Sequence, residues 1–357
     1  MASEIYLRPT GFIESPQRFD GESARLAGTM LWFTQLEVIT GAGRELIAVS
    51  DWEAAKARLP EKAEKIFTRL TSARAPLQMG QRTIRLDQPQ VMGILNCTPD
   101  SFSDGGQHGE GSDDIAAVGG AMAGTGAAIV DVGGESTRPG APLVWEGDEI
   151  KRIEPVVRPL AAAGTAISID TRKAAVMQAA LAAGATMIND VSALLYDDQS
   201  IEIAKGAGVP VVLMHAPSQS SDPHKGGEYG DVLTEVYDWL EARVDAVEAA
   251  GIPRERIVID PGIGFGKSLA DNLTLINNLA LFHGIGCALL VGASRKRMIG
   301  ALSNEAPADQ RLGGSVYLAM KAVEQGAHIV RVHDVPETVQ AIRVWRGLRD
   351  AALTARA

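Results

Sequence analysis

From Val91 onward the chain repeats one unit eight times: a short apolar run, a polar residue at its end, a loop, and a helical pattern. The runs are Val91 to Leu95, Ala128 to Val132, Ala166 to Ile169, Ala185 to Ile188, Val209 to Met214, Ile257 to Ile259, Ala288 to Val291 and His328 to Val332. Each has the length and near-continuous apolarity of a strand buried on both faces. Between them apolar residues recur at helical spacing, as in Ile115, Val118 and Met122 after a Ser112 cap, or Val232, Val236, Leu240, Val244 and Val247. Eight strand–helix units in about 260 residues match the count and size of a (β/α)8 TIM barrel. An open doubly wound sheet is the competing arrangement, and the count of eight favours closure. A dinucleotide fingerprint is missing, since Val132-Gly-Gly134 runs on into Glu135, Ser136 and Thr137.

Residues 1–85 follow a different pattern, which divides the chain into an N-terminal accessory segment and a barrel over 86–357. Thr29 to Thr40 is strand-like, Glu45 to Ser50 is placed to pair with it, and Asp51 to Leu70 predicts a helix opened by an Asp cap. The segment is expected to be a small α+β layer against the barrel, and no motif assigns it a role.

Composition narrows the function. With 46% hydrophobic residues the chain has ample material for a core. Thirty-four basic against 44 acidic residues give a net charge of −10 without blocks of like charge, which argues against a nucleic-acid or membrane-surface binder. Cys97 and Cys287 are too few for a disulfide framework or a cysteine zinc site, so a reducing compartment is expected. With no leader-like N-terminus and no apolar run approaching ~18 residues, the expected location is the cytoplasm. An anionic substrate would have to be held by cations gathered locally.

A barrel collects its active site at the C-terminal ends of its strands. Those ends carry Asn96, the Glu135 to Gly140 loop, Asp170, Asn189 with Asp190, His215, Asp260, Ser294 to Lys296, and Arg331 with His333. Any one of them alone reads as a cap or turn residue, but the fold does not require eight polar strand ends in succession. The loops that open at Asn96 and at Gly133 have the composition of mobile lids, with Phe102, Arg138 and Pro139 placed to contact a ligand. Asp170, Asn189 and Asp260 suit the N–H and C=O edges of a flat, amide-like ring, on which Phe265 between Gly264 and Gly266 is able to stack. Ser294-Arg-Lys296 with Arg331 and His333 form a cationic corner for an anion, although ordinary surface salt bridges have the same spacing. His215 reads as a structural hydrogen bonder and His224 as part of a flexible loop from Gln219 to Gly227.

Taken in order, Met92-Gly-Ile-Leu-Asn-Cys-Thr-Pro-Asp-Ser-Phe-Ser-Asp-Gly-Gly106, Asp131-Val-Gly-Gly-Glu-Ser-Thr-Arg-Pro-Gly140, Ser168-Ile-Asp-Thr171, Ile188-Asn-Asp190, Leu213-Met-His215, Asp260-Pro-Gly-Ile-Gly-Phe-Gly-Lys267, Gly292-Ala-Ser-Arg-Lys296 and Arg331-Val-His333 resemble the motifs of the dihydropteroate synthases. The first two are highly specific. The resemblance implies a folate-pathway transferase that joins 6-hydroxymethyl-7,8-dihydropterin diphosphate to p-aminobenzoate and releases diphosphate. Position by position, it implies that Asp170, Asn189, Asp260 and Lys296 hold the pterin, with Met214 and Phe265 lining its slot. It assigns the diphosphate to Asn96, Arg331 and His333, with Thr137 and Arg138 closing over the site and Asn96 reaching a Mg2+ cofactor. Phe102, Pro139 and Lys296 would shape the p-aminobenzoate pocket, where sulfonamides bind in this family. Asp170, Lys296, Asn96, Arg331 and His333 form the catalytic set so implied, and a homodimer through the last helices is the expected assembly.

The chain departs from the family pattern in three places. Cys97 stands where an apolar branched residue is common, the sequence after His215 differs from many members, and the N-terminal segment is absent from the short bacterial form. That segment does not resemble the pyrophosphokinase fused to some eukaryotic members. Two rivals remain: a pterin-binding methyltransferase module, which has no use for a diphosphate clamp, and a catalytically silent pterin-binding paralogue.

Overall fold

The computed structural model describes residues 5–17, 19–98, 111–138, 140–218, 220 and 222–354. Its first layer is an antiparallel sheet of β1 (Ile5–Ile13), β2 (Ala24–Arg25), β3 (Trp32–Thr40) and β4 (Gly43–Ala48). β3 is central, with β1 along one edge and β2 and β4 along the other. The helix expected from Asp51 to Leu70 is instead two, α1 (Trp52–Lys56) and α2 (Glu61–Thr71). Pro60 lies between them at the N-cap of α2, where its missing N–H costs nothing but its ring disfavours a helical residue before it. Asp51 makes no side-chain capping bond. Phe33, Leu36, Trp52, Ile66 and Leu70 form the core of this layer.

A short hairpin follows, β5 (Leu77–Met79) and β6 (Arg82–Ile84), turned at Gly80 with φ 61°. Glycine first in a two-residue turn accepts that left-handed backbone and matches the twist of the strands. The hairpin buries Leu77, Met79 and Ile84 against Met92, Ile129, Met187, Val212, Val258, Leu290 and Ile329. It plugs the N-terminal end of the barrel.

The barrel strands are β7 (Gln90–Asn96), β8 (Ile129–Gly133), β9 (Ile167–Asp170), β10 (Met187–Asp190), β11 (Val211–Met214), β12 (Ile257–Asp260), β13 (Ala288–Val291) and β14 (Ile329–Val332). All are parallel, and β14 pairs back to β7, so the sheet closes as a (β/α)8 barrel. Around it run α3 (Ser112–Thr125), α4 (Glu146–Ala162), α5 (Ala174–Ala183), α6 (Ser200–Ala207), α7 (Val232–Ala249), α8 (Leu269–Asn277), α9 (Arg297–Leu302), α10 (Leu312–Val323) and α11 (Val335–Thr354). The stripe predicted for α7 is buried, and its N-terminus is capped by Asp231, whose carboxylate accepts the Leu233 amide at 3.1 Å.

The N-terminal sheet is docked by polar as well as apolar contacts. Tyr6 donates to Asp238 on α7 at 2.7 Å, and Arg74 donates to the carbonyls of Cys287 and His283 at 3.0 and 2.9 Å. A cavity of about 640 Å³ lies along this seam, between β1 and α10–α11, and none of its lining residues belongs to the strand ends. No helix among the described residues is long and apolar enough to cross a membrane.

Candidate active site

Strand alternation decides which side chains meet inside the barrel. Ile129, Met187, Val212, Val258 and Ile329 belong to the apolar floor. Two residues further along the same strands stand Asp131, Asn189, Met214, Asp260 and Arg331. The inner face is therefore apolar at the floor and polar at the mouth.

Arg331 organises that mouth. Its Nε lies 2.6 Å from Asp131 Oδ2 and its Nη2 lies 2.6 Å from Asp170 Oδ2, while Asn189 donates to the same Asp131 oxygen at 3.1 Å. Two carboxylates hold the guanidinium charged, above its ordinary range, although burial opposes this. Burial pushes Asp170 up to about 7, with Asp131, Glu149 and Asp190 adding to the rise against the pull of Arg331. Asp260 is raised to about 6 by burial, although the Gly262 amide donates to its Oδ1 at 2.7 Å. The wall expected to recognise a ring and the cation expected to hold an anion are thus in direct contact. Asp131, a lone acid inside an apolar run of the sequence, joins them. Its Oδ1 is buried without a partner, a free acceptor at the base of the site.

Lys296 reaches over the face of Phe265, its Nζ 4.2 Å from the ring centroid, and Phe265 packs with Met214, Val191 and Ala216. Burial, helped by Arg331, lowers Lys296 to about 8. The loop carrying Phe265 is stapled by Lys267, whose ammonium lies 2.9 Å from the Gly262 carbonyl, 3.2 Å from that of Phe265 and 3.0 Å from His215 Nδ1. Burial lowers His215 to about 3, so the ring is neutral and accepts from Lys267. This is the structural hydrogen bonding expected of His215.

His333 was expected to belong to a cationic corner, and in the ligand-free chain its surroundings oppose a charge on the ring. Burial and the neighbouring Arg295, Arg331, Lys296 and Arg138 depress it to about 3. Ser294 Oγ accepts the His333 backbone amide at 3.2 Å and lies 3.0 Å from Nδ1. A neutral ring whose Nδ1 accepts the Ser294 hydroxyl proton would carry its own proton on Nε2 and present it as a donor. Arg295 is turned to Asp334 at 2.5 Å, the ordinary salt bridge considered above. Asp190 likewise acts within a turn, accepting the Ser192 and Leu194 amides at 2.7 and 2.9 Å.

The second loop is rooted in buried charge. Lys173 Nζ lies 2.6 Å from Glu149 and 3.1 Å from Glu135, and Arg172 Nε lies 3.3 Å from Glu135. Glu135 also accepts the Val144 amide at 3.0 Å, so both stems of the loop bearing Thr137 and Arg138 are tied to one network. The strand that carries Asn96 pairs in register with β8 at Gly133, beside this loop. Phe102 and Pro139 lie outside the described residues. No group of three or more His, Cys, Asp or Glu suited to a metal occurs among the described residues. Asn96 offers one hard amide oxygen at a strand end, which fits Mg2+, an ion that takes one or two protein ligands and completes its octahedron with phosphate oxygens and water.

This arrangement has known counterparts. A family described as "Pterin binding enzyme" matches residues 92–333, leaving the N-terminal sheet outside the match. The dihydropteroate synthase of Escherichia coli (strain K12) is 46% identical over 263 residues, 73% of this chain and 92% of its own length. Among solved structures, the Xanthomonas albilineans dihydropteroate synthase with 4-aminobenzoic acid aligns with a TM-score of 0.73 at 45% identity, over 78% of this chain and 99% of that one. The Yersinia pestis enzyme in complex with a sulfonamide drug gives 0.72 at 43% identity, over 77% and 100%. The chain belongs to the dihydropteroate synthase family of pterin-binding transferases.

Proposed function

We propose that this chain joins 6-hydroxymethyl-7,8-dihydropterin diphosphate to p-aminobenzoate with loss of diphosphate, using the strand-end residues in separate roles. The observation that carries this reading is the strand-end cluster in which Arg331 pairs with Asp131 and with the partly exposed Asp170, the buried Asn189 donates to Asp131, and the buried Asp260 stands at the end of a nearby strand. Asp170, Asn189 and Asp260 would pair with the N–H and C=O edges of the pterin, between Met214 and Phe265, with Lys296 over the ring. Asn96, Arg331 and the Nε2–H of His333 would take the diphosphate, and Thr137 and Arg138 would close over it. Phe102 and Pro139 would complete the arylamine pocket beside Lys296.

As the C–O bond to diphosphate lengthens, positive charge builds on the pterin methylene and ring. The Arg331 guanidinium 2.6 Å away favours the ionised form of Asp170, and a carboxylate facing the developing charge in a dry site would lower the barrier. The arylamine nitrogen then forms the new C–N bond and loses a proton to solvent. Mg2+ on Asn96 would neutralise the departing diphosphate. Three further readings accompany this one. The arylamine pocket is proposed to admit sulfonamides, a reading supported by the Yersinia pestis relative, which was solved in complex with a sulfonamide drug. The protein is proposed to act as a homodimer through its last helices, where Leu302, Leu312 and Tyr317 are exposed. Its proposed location remains the cytoplasm.

The deciding experiment mixes pterin diphosphate, p-aminobenzoate and Mg2+ and measures diphosphate and dihydropteroate together. Equal release of both, dependent on both substrates, is expected. A folded protein that binds 6-hydroxymethylpterin yet releases neither would be a silent paralogue, and the reading would fall.

A further inference from the structure

The sequence from Gln219 to Gly227, with His224 in it, predicts a flexible loop. In the structure His224 instead touches two other loops of the mouth. Its Nε2 lies 2.8 Å from the backbone carbonyl of Thr137. Its ring lies parallel to Phe265, with centroids 4.7 Å apart and planes 10° from coplanar. Because the Thr137 partner is a carbonyl, the imidazole must donate from Nε2. A second tie joins the same pair of loops, since Arg172, anchored on Glu135, donates to the Ser220 carbonyl at 3.2 Å and stacks on Tyr196. The loop is also seated tightly on the Phe265 turn. A Cβ at Gly227 would come 1.7 Å from the Gly266 carbonyl, and one at Gly266 would come 2.3 Å from Pro217.

We propose that His224 is a positioning residue that clasps the Thr137–Arg138 loop to the Phe265 wall and so pre-shapes the site for the pterin diphosphate, whose ring Phe265 and whose diphosphate Thr137 and Arg138 are proposed to meet. This rests on the site reading given above. The imidazole's two contacts have separable chemistry, a hydrogen bond to one loop and a stacked face to the other. Each restricts a segment that must otherwise be ordered when substrate binds, and pre-ordering lowers the cost of binding. The p-aminobenzoate side of the site, proposed to lie beside Lys296, shares neither contact.

Three variants of the full chain test this. His224→Ala should raise KM for the pterin diphosphate about tenfold, with kcat and KM for p-aminobenzoate within about twofold. His224→Gln, which keeps an N–H donor, and His224→Phe, which keeps the ring, should each recover about threefold of that loss. A KM unmoved in all three variants, or a loss carried wholly by kcat, overturns the proposal. Hydrogen exchange in the ligand-free protein supplies a readout that needs no activity. The 137–144 backbone should exchange faster in His224→Ala than in wild type, and equal rates overturn the clasp. If wild type is inactive but the exchange difference is present, the reaction assignment has failed while the clasp stands.

Discussion

The two ends of the barrel are made from the same strands and differ in everything else. At the floor, Ile129, Met187, Val212, Val258 and Ile329 meet the hairpin side chains Leu77, Met79 and Ile84 in an apolar layer. Two residues on, the same inner face carries Asp131, Asn189, Met214, Asp260 and Arg331. Burial at the floor is favourable for each residue taken singly, at about 25 cal/mol per Å² of apolar surface. Burial at the mouth is favourable only for the set, because each carboxylate removed from water needs a donor or a cation to offset the loss. One end therefore supplies stability, and the other keeps charge in a state that a substrate is able to exploit.

Substitutions should separate the two ends. The largest effect is expected at the mouth: Asp170→Asn keeps the shape and one acceptor for Arg331 but removes the charge, and kcat should fall by about 10²–10³. Pterin affinity measured by calorimetry should change far less than turnover. An unchanged kcat would remove Asp170 from the reaction and blur the distinction. At the floor, Leu77→Ala should leave kcat per folded molecule intact and cost about 2–5 kcal/mol in a urea titration. A floor variant that lost activity without losing stability would show that the two ends are coupled.

What was legible in the sequence follows the same division. Buried parallel strands are near-continuous apolar runs, so all eight were visible, and so were the polar residues that end them. β1 was missed because Pro9 and Gly11 interrupt it, and an edge strand tolerates both. The hairpin was missed because its strands are three residues each, too short to show a period. Pro60 was visible, and it should have divided the helix between Asp51 and Leu70. Asp131 was also visible, as a lone acid in an apolar run, and a buried acid in a strand is a signal that something pairs with it. His224 left no trace of its own. Its partners, Thr137 and Phe265, sit on two other loops, and no local spacing encodes a contact that only barrel closure creates.

The pH dependence of stability is a finer test. Asp260 is raised from an ordinary carboxylate value to about 6, so between these limits the folded protein holds more protons than the unfolded chain. Its contribution to stability is present at low pH and is lost as pH rises through about 6. His215, His283 and His333, each lowered to about 3, act with the opposite sign over much of that window, so the slope of the wild type alone decides nothing. The difference between wild type and Asp260→Asn isolates the carboxylate, because Asn keeps the acceptor for the Gly262 amide. Asp260→Asn should gain on wild type as pH rises from 4 to 7, by up to about 3 kcal/mol. A difference independent of pH would place Asp260 in a solvated environment and end the contrast drawn here.

The smallest effect uses the two cysteines, which mark opposite ends of the barrel. Cys97 follows the last residue of β7 at the mouth, and Cys287 precedes the first residue of β13 at the floor. Both thiols are buried and both are pushed up to about 12 by that burial, so intrinsic reactivity is matched and only access distinguishes them. Access to a buried thiol requires local opening, whose free energy is lower where loops close a site than where an apolar layer is packed. Alkylation of the native protein, followed by mass spectrometry of the two peptides, should modify Cys97 about tenfold faster than Cys287, and a bound pterin should slow Cys97 alone. Equal rates with no protection by the pterin would mean that the mouth is as tightly closed as the floor. The charge gathered there would then have to be explained without the mobility that a two-substrate reaction demands.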